Sequence, residues 1–132
     1  TNKEIKMEQV LKSLTLEFFG SGAHKITPEK LFENKAAVLL DVRSREEAAS
    51  VSINLSKHDN IECRNIPVDE IPDRWEELPN DRLIAVFCPA NVRSSIVYAF
   101  LLTKGLEPVK VLEGGYAALT EAVKPGRLLK HL

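Results

Sequence analysis

The sequence predicts an α/β protein, a mostly parallel sheet with helices on both of its faces. Three observations carry that prediction. Ala36-Ala37-Val38-Leu39-Leu40, Leu83-Ile84-Ala85-Val86-Phe87 and Val109-Lys110-Val111-Leu112 are apolar runs of strand length. Continuous rather than alternating hydrophobicity suits strands covered on both sides. Between the runs stand segments of helical spacing with their own start and stop residues. Strands alternating with helices are joined by right-handed crossovers, which distribute the helices over both faces of a parallel sheet.

In chain order, Met7, Val10, Leu11, Leu14 and Phe18 lie at helical spacing, and Gly20 and Gly22 supply a stop. Residues 1–23 are therefore expected to form one amphipathic N-terminal helix packed on the domain, since its polar face mixes both charge signs. Thr27-Pro28 reads as an N-cap followed by proline at the first helical position, opening a short helix through Leu31 and Phe32. Beyond the first apolar run, Ser44 and Glu47 make a capping box directly after Asp41-Val42-Arg43, so strand passes into helix there. Residues 52–64 are polar and weakly patterned and read as a long loop, followed by a short extended piece at Ile66-Pro67-Val68. Ile71, Trp75 and Leu78 mark one face of a helix closed by Pro79-Asn80. The second apolar run leads straight into Cys88. A helix is expected over 94–104 with Gly105 as its C-cap. The last strand, 109–112, is followed by the turn Glu113-Gly114-Gly115, a helix over 116–123 and a tail from Pro125-Gly126.

At 132 residues and 44% hydrophobic side chains, the chain suits one domain with a core of its own. A formal net charge of -1, from 18 basic and 19 acidic residues, gives no general attraction to nucleic acid or anionic membrane, so neither is expected as a partner. No apolar stretch approaches the roughly 20 residues that span a bilayer. Two cysteines, Cys63 and Cys88, are too few for a disulfide framework, and a reducing cytoplasm is the expected setting. Cys63 reads as incidental in its loop. His24, His58 and His131 lack metal-ligand spacing with either cysteine, so no metal and no cofactor is expected. Oligomeric state is not legible.

The chemistry concentrates at Cys88. In open parallel sheets reactive groups sit beyond the carboxyl ends of the strands, and Cys88 has that position with a helix immediately after it. Free amides of residues 94–97 and of the preceding loop can point inward and make an anion cradle at the positive end of the helix. Cysteines at helix N-termini have pKa values lowered from about 8.5 to roughly 3.5–7.5, which makes the sulfur nucleophilic at neutral pH. The same cradle suits the negative charge of a persulfide. Taken alone, a cysteine ending a strand is also compatible with inert core.

Four motifs in order give context. Asp41-Val42-Arg43 closes a strand and is followed by Glu46-Glu47; Asn65-Ile66-Pro67 precedes the middle of the chain; Cys88-Pro89-Ala90-Asn91-Val92-Arg93 is followed by Ser94; and Leu112-Glu113-Gly114-Gly115-Tyr116 precedes the last helix. In these the chain resembles the rhodanese family over roughly residues 24–125, and the rhodanese-like domain is taken as 24–132. The resemblance implies a three-layer fold with a central, mostly parallel five-stranded sheet and helices on both faces, here with an extra N-terminal helix. It also implies sulfur transfer. Cys88 would be nucleophile and carrier, with Pro89, Ala90, Asn91, Val92 and Ser94 forming the cradle. Arg93 would either bind an anionic donor or brace the loop as an internal strut. Asp41 and Arg43 would support the site from the neighbouring strand, catalytically or as a structural salt bridge.

The implied partners are a thiol acceptor and a sulfur donor: a persulfide on a protein or small thiol, or thiosulfate. Three departures bear on this. Val51-Ser52-Ile53 stands where the family usually has Gly-His-Ile, Asn91 replaces a loop glycine, and Pro89 replaces a basic residue. Asn91 still tolerates positive φ. Pro89 removes a side-chain charge and an N–H, so thiosulfate is expected to be a poor donor. The competing readings are a non-catalytic binding module and a Cys-based phosphatase or arsenate reductase. Related phosphatase loops place five residues between Cys and Arg, whereas four separate Cys88 from Arg93.

Overall fold

The computed structural model describes residues 4–53, 55 and 58–123. Five strands, β1 (Lys25–Ile26), β2 (Ala37–Asp41), β3 (Ile61–Asn65), β4 (Leu83–Phe87) and β5 (Val109–Leu112), form one sheet of order β1-β5-β4-β2-β3. Every pairing in it is parallel. All residues of β2 and β4 are buried, which is why these two central strands read as continuous apolar runs. Around the sheet lie α1 (Met7–Ser13), α2 (Leu16–Gly20), α3 (Pro28–Phe32), α4 (Arg45–Ser50), α5 (Ile71–Arg74), α6 (Val92–Thr103) and α7 (Gly115–Ala122).

Alternation along the strands divides the core in two. Val38, Leu40, Val86 and Cys88 pack with Val97 and Leu101 of α6 on one face. Leu39, Ala85 and Phe87 pack with Leu31 and Phe32 of α3 and Leu119 of α7 on the other. Both faces are thus covered, and the strand ends that carry Cys88 and Asp41 lie side by side, Asp41 opposite Phe87 in the β2–β4 register. No described helix is long and apolar enough to cross a membrane.

Several elements differ from the sequence reading. The single N-terminal helix is two, because Thr15 interrupts the apolar period and caps α2 by accepting a hydrogen bond from the Phe18 N–H at 3.1 Å. Val10 is the buried anchor of α1 at 4% exposure, whereas Leu11 is 59% exposed and Met7 is also largely in solvent. The N–H of Ile5 donates to the Thr103 carbonyl at 2.6 Å, tying this segment to the end of α6.

The loop expected over 52–64 contains the start of β3, which lies at the sheet edge and carries polar residues on an exposed surface, so its hydrophobic signal is lost. β1 is two residues long and leaves no pattern to read. The helix around Ile71, Trp75 and Leu78 is a single α turn flanked by 3₁₀ turns at Val68–Glu70 and Trp75–Glu77. The tail from Pro125-Gly126 lies outside the described residues.

Leu39, fully buried between β3 and β4, and Leu11, on the exposed side of α1, make a direct comparison. Leu39→Ala should cost about 2–5 kcal/mol. Leu11→Ala should stay within about 0.5 kcal/mol. Urea unfolding measures both, and equal losses would contradict this division of core and surface.

Candidate active site around Cys88

β4 ends at Phe87, and α6 begins at Val92, two residues earlier than the sequence pattern indicates. That shift decides which amides are free. The first four N–H groups of a helix lack partners inside it, and an N-cap side chain usually takes one of them. Here the N-cap is Asn91, and its side chain makes no capping bond. The sulfur of Cys88 serves instead: the Ser94 N–H donates to Sγ at 3.3 Å, the Ser94 Oγ lies 3.4 Å from it, and the N–H groups of Ala90 and Arg93 also act on it. Of the amides expected over 94–97 and in the preceding loop, those of Ala90, Arg93 and Ser94 act on the sulfur, since amides beyond the first turn are engaged within the helix.

Cys88 is 0% exposed. Burial is the largest influence on its thiol and pushes the pKa up, yet the Ser94 hydroxyl and the amides of Ser94, Ala90 and Arg93 together outweigh it. The net direction is down, toward the thiolate.

The loop holding these amides is fixed from beneath. Asn91 takes the left-handed conformation at φ 63, as expected of the residue replacing a loop glycine. Its amide lies between the Leu112 carbonyl and the Gly114 N–H, 3.2 and 3.3 Å away, and satisfies both when its nitrogen faces the carbonyl and its oxygen the N–H. The Pro89 carbonyl accepts from the Tyr116 N–H at 3.1 Å. A Cβ on Gly115 would stand 2.1 Å from that carbonyl oxygen, and Gly115 has φ +54. The glycine pair thus lets the last turn approach the Cys88 loop. Val92 opens α6 and is 66% exposed, and Ala90 is also in solvent.

Asp41 and Arg43 stand beside the loop as a buried pair. Arg43, 0% exposed, donates from Nε to the two Asp41 carboxylate oxygens at 2.9 and 3.1 Å and from Nη2 to Oδ2 at 2.7 Å. Its Nη1 donates to the Tyr116 hydroxyl and, at 3.4 Å, to the Glu47 carbonyl. The guanidinium also sits 5.4 Å from the ring centres of Phe87 and Tyr116. Asn65 donates to the Asp41 and Arg43 carbonyls at 3.0 and 2.9 Å. The pair is a buried salt bridge whose contacts join β2, β3, α4 and α7.

Arg93 is also engaged, but at the rim instead of inside the domain. Its two Nη atoms donate to the two Glu47 carboxylate oxygens at 2.7 and 3.0 Å, with both side chains part-exposed. The Arg93 pair is the main cause that holds the Glu47 carboxyl down at about 2. Sequence reasoning does not single out Glu47, Tyr116 or Asn65 as site residues. Glu47 shows in the sequence as a helix cap, and that role is real: it completes a box with Ser44.

Cys63 belongs to a different place. It lies level with Leu39 and Ala85, whereas Cys88 is three residues beyond Ala85 and faces the opposite core. β2 also separates its strand from β4, a lateral distance of about 9.5 Å, beyond what a disulfide spans without backbone movement. Cys63 is exposed at its surface, yet the atoms packed around it desolvate the thiol and push it up, and Asp41 and Glu62 add to this against a hydrogen bond from the Leu55 backbone. Among the described residues no group of three or more His, Cys, Asp and Glu could hold a metal ion.

Comparison with known proteins gives a consistent picture. A family model described as Rhodanese-like domain matches residues 28–122. A protein of Allochromatium vinosum named sulfurtransferase is 29% identical over 90 residues, covering 68% of this chain and 78% of its own. The crystal structure of a rhodanese-related protein from Thermoplasma volcanium is 34% identical, with TM-score 0.63 over 77% of this chain and 95% of its own. A NAD-dependent persulfide reductase from A. fulgidus is 33% identical with TM-score 0.58, over 76% of this chain but only 17% of that one.

The close approach of the glycine turn can be checked by substitution. Gly115→Ala should destabilise the protein by about 1–3 kcal/mol, through overlap with the Pro89 carbonyl and a strained φ. Urea unfolding of the variant measures this, and unchanged stability would mean that the Cys88 loop does not rest on this turn.

Proposed function

The chain belongs to the rhodanese-like domain family, and on that premise we propose that it is a sulfurtransferase whose Cys88 carries a sulfane sulfur as a persulfide. The Ser94 N–H and hydroxyl, 3.3 and 3.4 Å from one buried sulfur whose pKa the Ala90 and Arg93 amides also help to lower, carry this reading. In the first half-reaction the Cys88 thiolate attacks the outer sulfur of a donor R–S–S⁻. A new S–S bond forms on Cys88, and R–S⁻ leaves with the electron pair of the broken bond. An acceptor thiolate then attacks the outer sulfur of Cys88–S–S⁻ and displaces the Cys88 thiolate. Charge and electrons balance without an external oxidant, and the loop amides face a negative sulfur at both stages.

The surroundings favour a donor of low charge. Pro89, Ala90, Asn91 and Val92 bring no cation to the loop. Arg43 is engaged by Asp41 and Arg93 by Glu47. A doubly charged anion approaching a thiolate would meet repulsion with little side-chain charge to offset it. A persulfide on another protein or on a small thiol brings less charge and suits this mouth better than thiosulfate.

Intact-mass measurement after treatment with a small-thiol persulfide should show one additional reducible sulfur, located on Cys88, and Cys88→Ser should abolish it. Transfer that persists in Cys88→Ser would remove this residue from the mechanism. Steady-state assays should also give a high KM for thiosulfate that falls in Pro89→Arg. Saturation of the wild type at micromolar thiosulfate would overturn the preference for a low-charge donor.

A further inference from the structure

Arg93 is the one charged side chain within the Cys88 loop, and it lies near enough for the Cys88 charge to act on it. Both of its Nη groups face Glu47. Resting on the sulfurtransferase reading of Cys88, we propose that Glu47 is a specificity-determining residue: its bidentate hold on Arg93 at the rim of the loop denies doubly charged donors the guanidinium that would bind them.

Glu47 is built for that position. Its own N–H donates to Ser44 Oγ at 3.1 Å, and its Oε1 accepts from the Ser44 N–H at 3.0 Å. Its carbonyl accepts from Arg43 at 3.4 Å, so the first turn of α4 is pinned to the buried Asp41–Arg43 strut. The carboxylate therefore meets Arg93 already oriented, with less side-chain entropy lost than in an ordinary surface pair. It also stays ionised as pH falls through the usual carboxylate range, which keeps the pair closed in mild acid.

The pair is within reach of a ligand, with Arg93 at 37% and Glu47 at 41% side-chain exposure. An anion that seeks Arg93 must displace Glu47 or share the guanidinium with it, and Asp41 adds further negative charge toward the same group. Arg43 cannot substitute, being buried on Asp41. On α6, Val92 directly precedes Arg93 and Ile96 follows it by three residues, and both expose apolar side chains, at 66% and 60%. Neither residue adds positive charge for a dianion to meet.

Glu47→Gln separates the two roles of the residue. Glutamine keeps an oxygen to cap the Ser44 N–H and loses the charge and one acceptor facing Arg93. Inorganic sulfate, an unreactive dianion of thiosulfate's shape, is the probe, titrated against the full chain by calorimetry at low ionic strength. Glu47→Gln should bind sulfate about five- to tenfold more tightly than the wild type, the sum of a released surface pair and a removed like charge. Adding Arg93→Ala should erase that gain, and the gain should shrink as salt is raised. Glu47→Ala, which removes the charge and the cap together, should show the same gain if folded, as checked by urea unfolding. Unchanged sulfate affinity in Glu47→Gln, or a gain that survives Arg93→Ala, would overturn the proposal. Because the readout requires no turnover, tighter binding in a chain that never forms a Cys88 persulfide would sustain the role of Glu47 and instead refute the sulfurtransferase reading.

Discussion

A helix that begins inside a protein must find acceptors for the amides of its first turn, and at α6 the acceptor is a sulfur atom. The ordinary solution, an N-cap oxygen, is absent: the Asn91 side chain makes no capping bond and lies instead between Leu112 and Gly114. Cys88 fills the gap. The bond is reciprocal, since the amides need an acceptor and a buried thiolate needs donors. Burial alone would make this thiol inert; the donors reverse the direction of its pKa. Structure and reactivity therefore depend on the same few hydrogen bonds.

Those bonds hold only if a four-residue connection between strand and helix keeps its shape. Pro89 is held by the Tyr116 N–H at the start of α7, and Asn91 lies against Leu112 and Gly114 just before it. That helix is held in turn by Tyr116, whose hydroxyl meets Arg43. Arg43 is anchored by Asp41 at the end of β2. The buried ion pair is a junction and not a source of net stability, since burying two charges costs about as much as their attraction returns. What it provides is register: β2, α4 and α7 are fixed relative to the loop. Arg93 and Glu47 close the ring on the solvent side, where each remains accessible.

Much of this was legible in the sequence wherever one residue served one physical purpose. β2 and β4 read as buried strands because nothing but core surrounds them. Asn91 read as a positive-φ residue, and φ 63 bears that out. Legibility failed where a residue served two purposes or where burial was one-sided. β3 lies at the edge and resembles a polar loop, and Thr15 sits within an apolar period that its cap interrupts. Glu47 reads as a helix cap, which it is, and nothing in its spacing announces the pair with Arg93, 46 positions away. Start and stop signals also place α6 too late, because its true N-cap side chain is used elsewhere.

The environment of Cys88 selects the thiolate, while that of Cys63 opposes it. Exposure works the other way, since Cys63 is accessible and Cys88 is buried, so a single rate at one pH would mix access with ionisation. The direct measurement is the alkylation rate of each cysteine, followed by mass across a range of pH in the same sample. The inflection for Cys88 should fall below the roughly 8.5 of a free cysteine and that for Cys63 above it. Coincident inflections, or the reverse order, would contradict a thiolate selected at Cys88 alone.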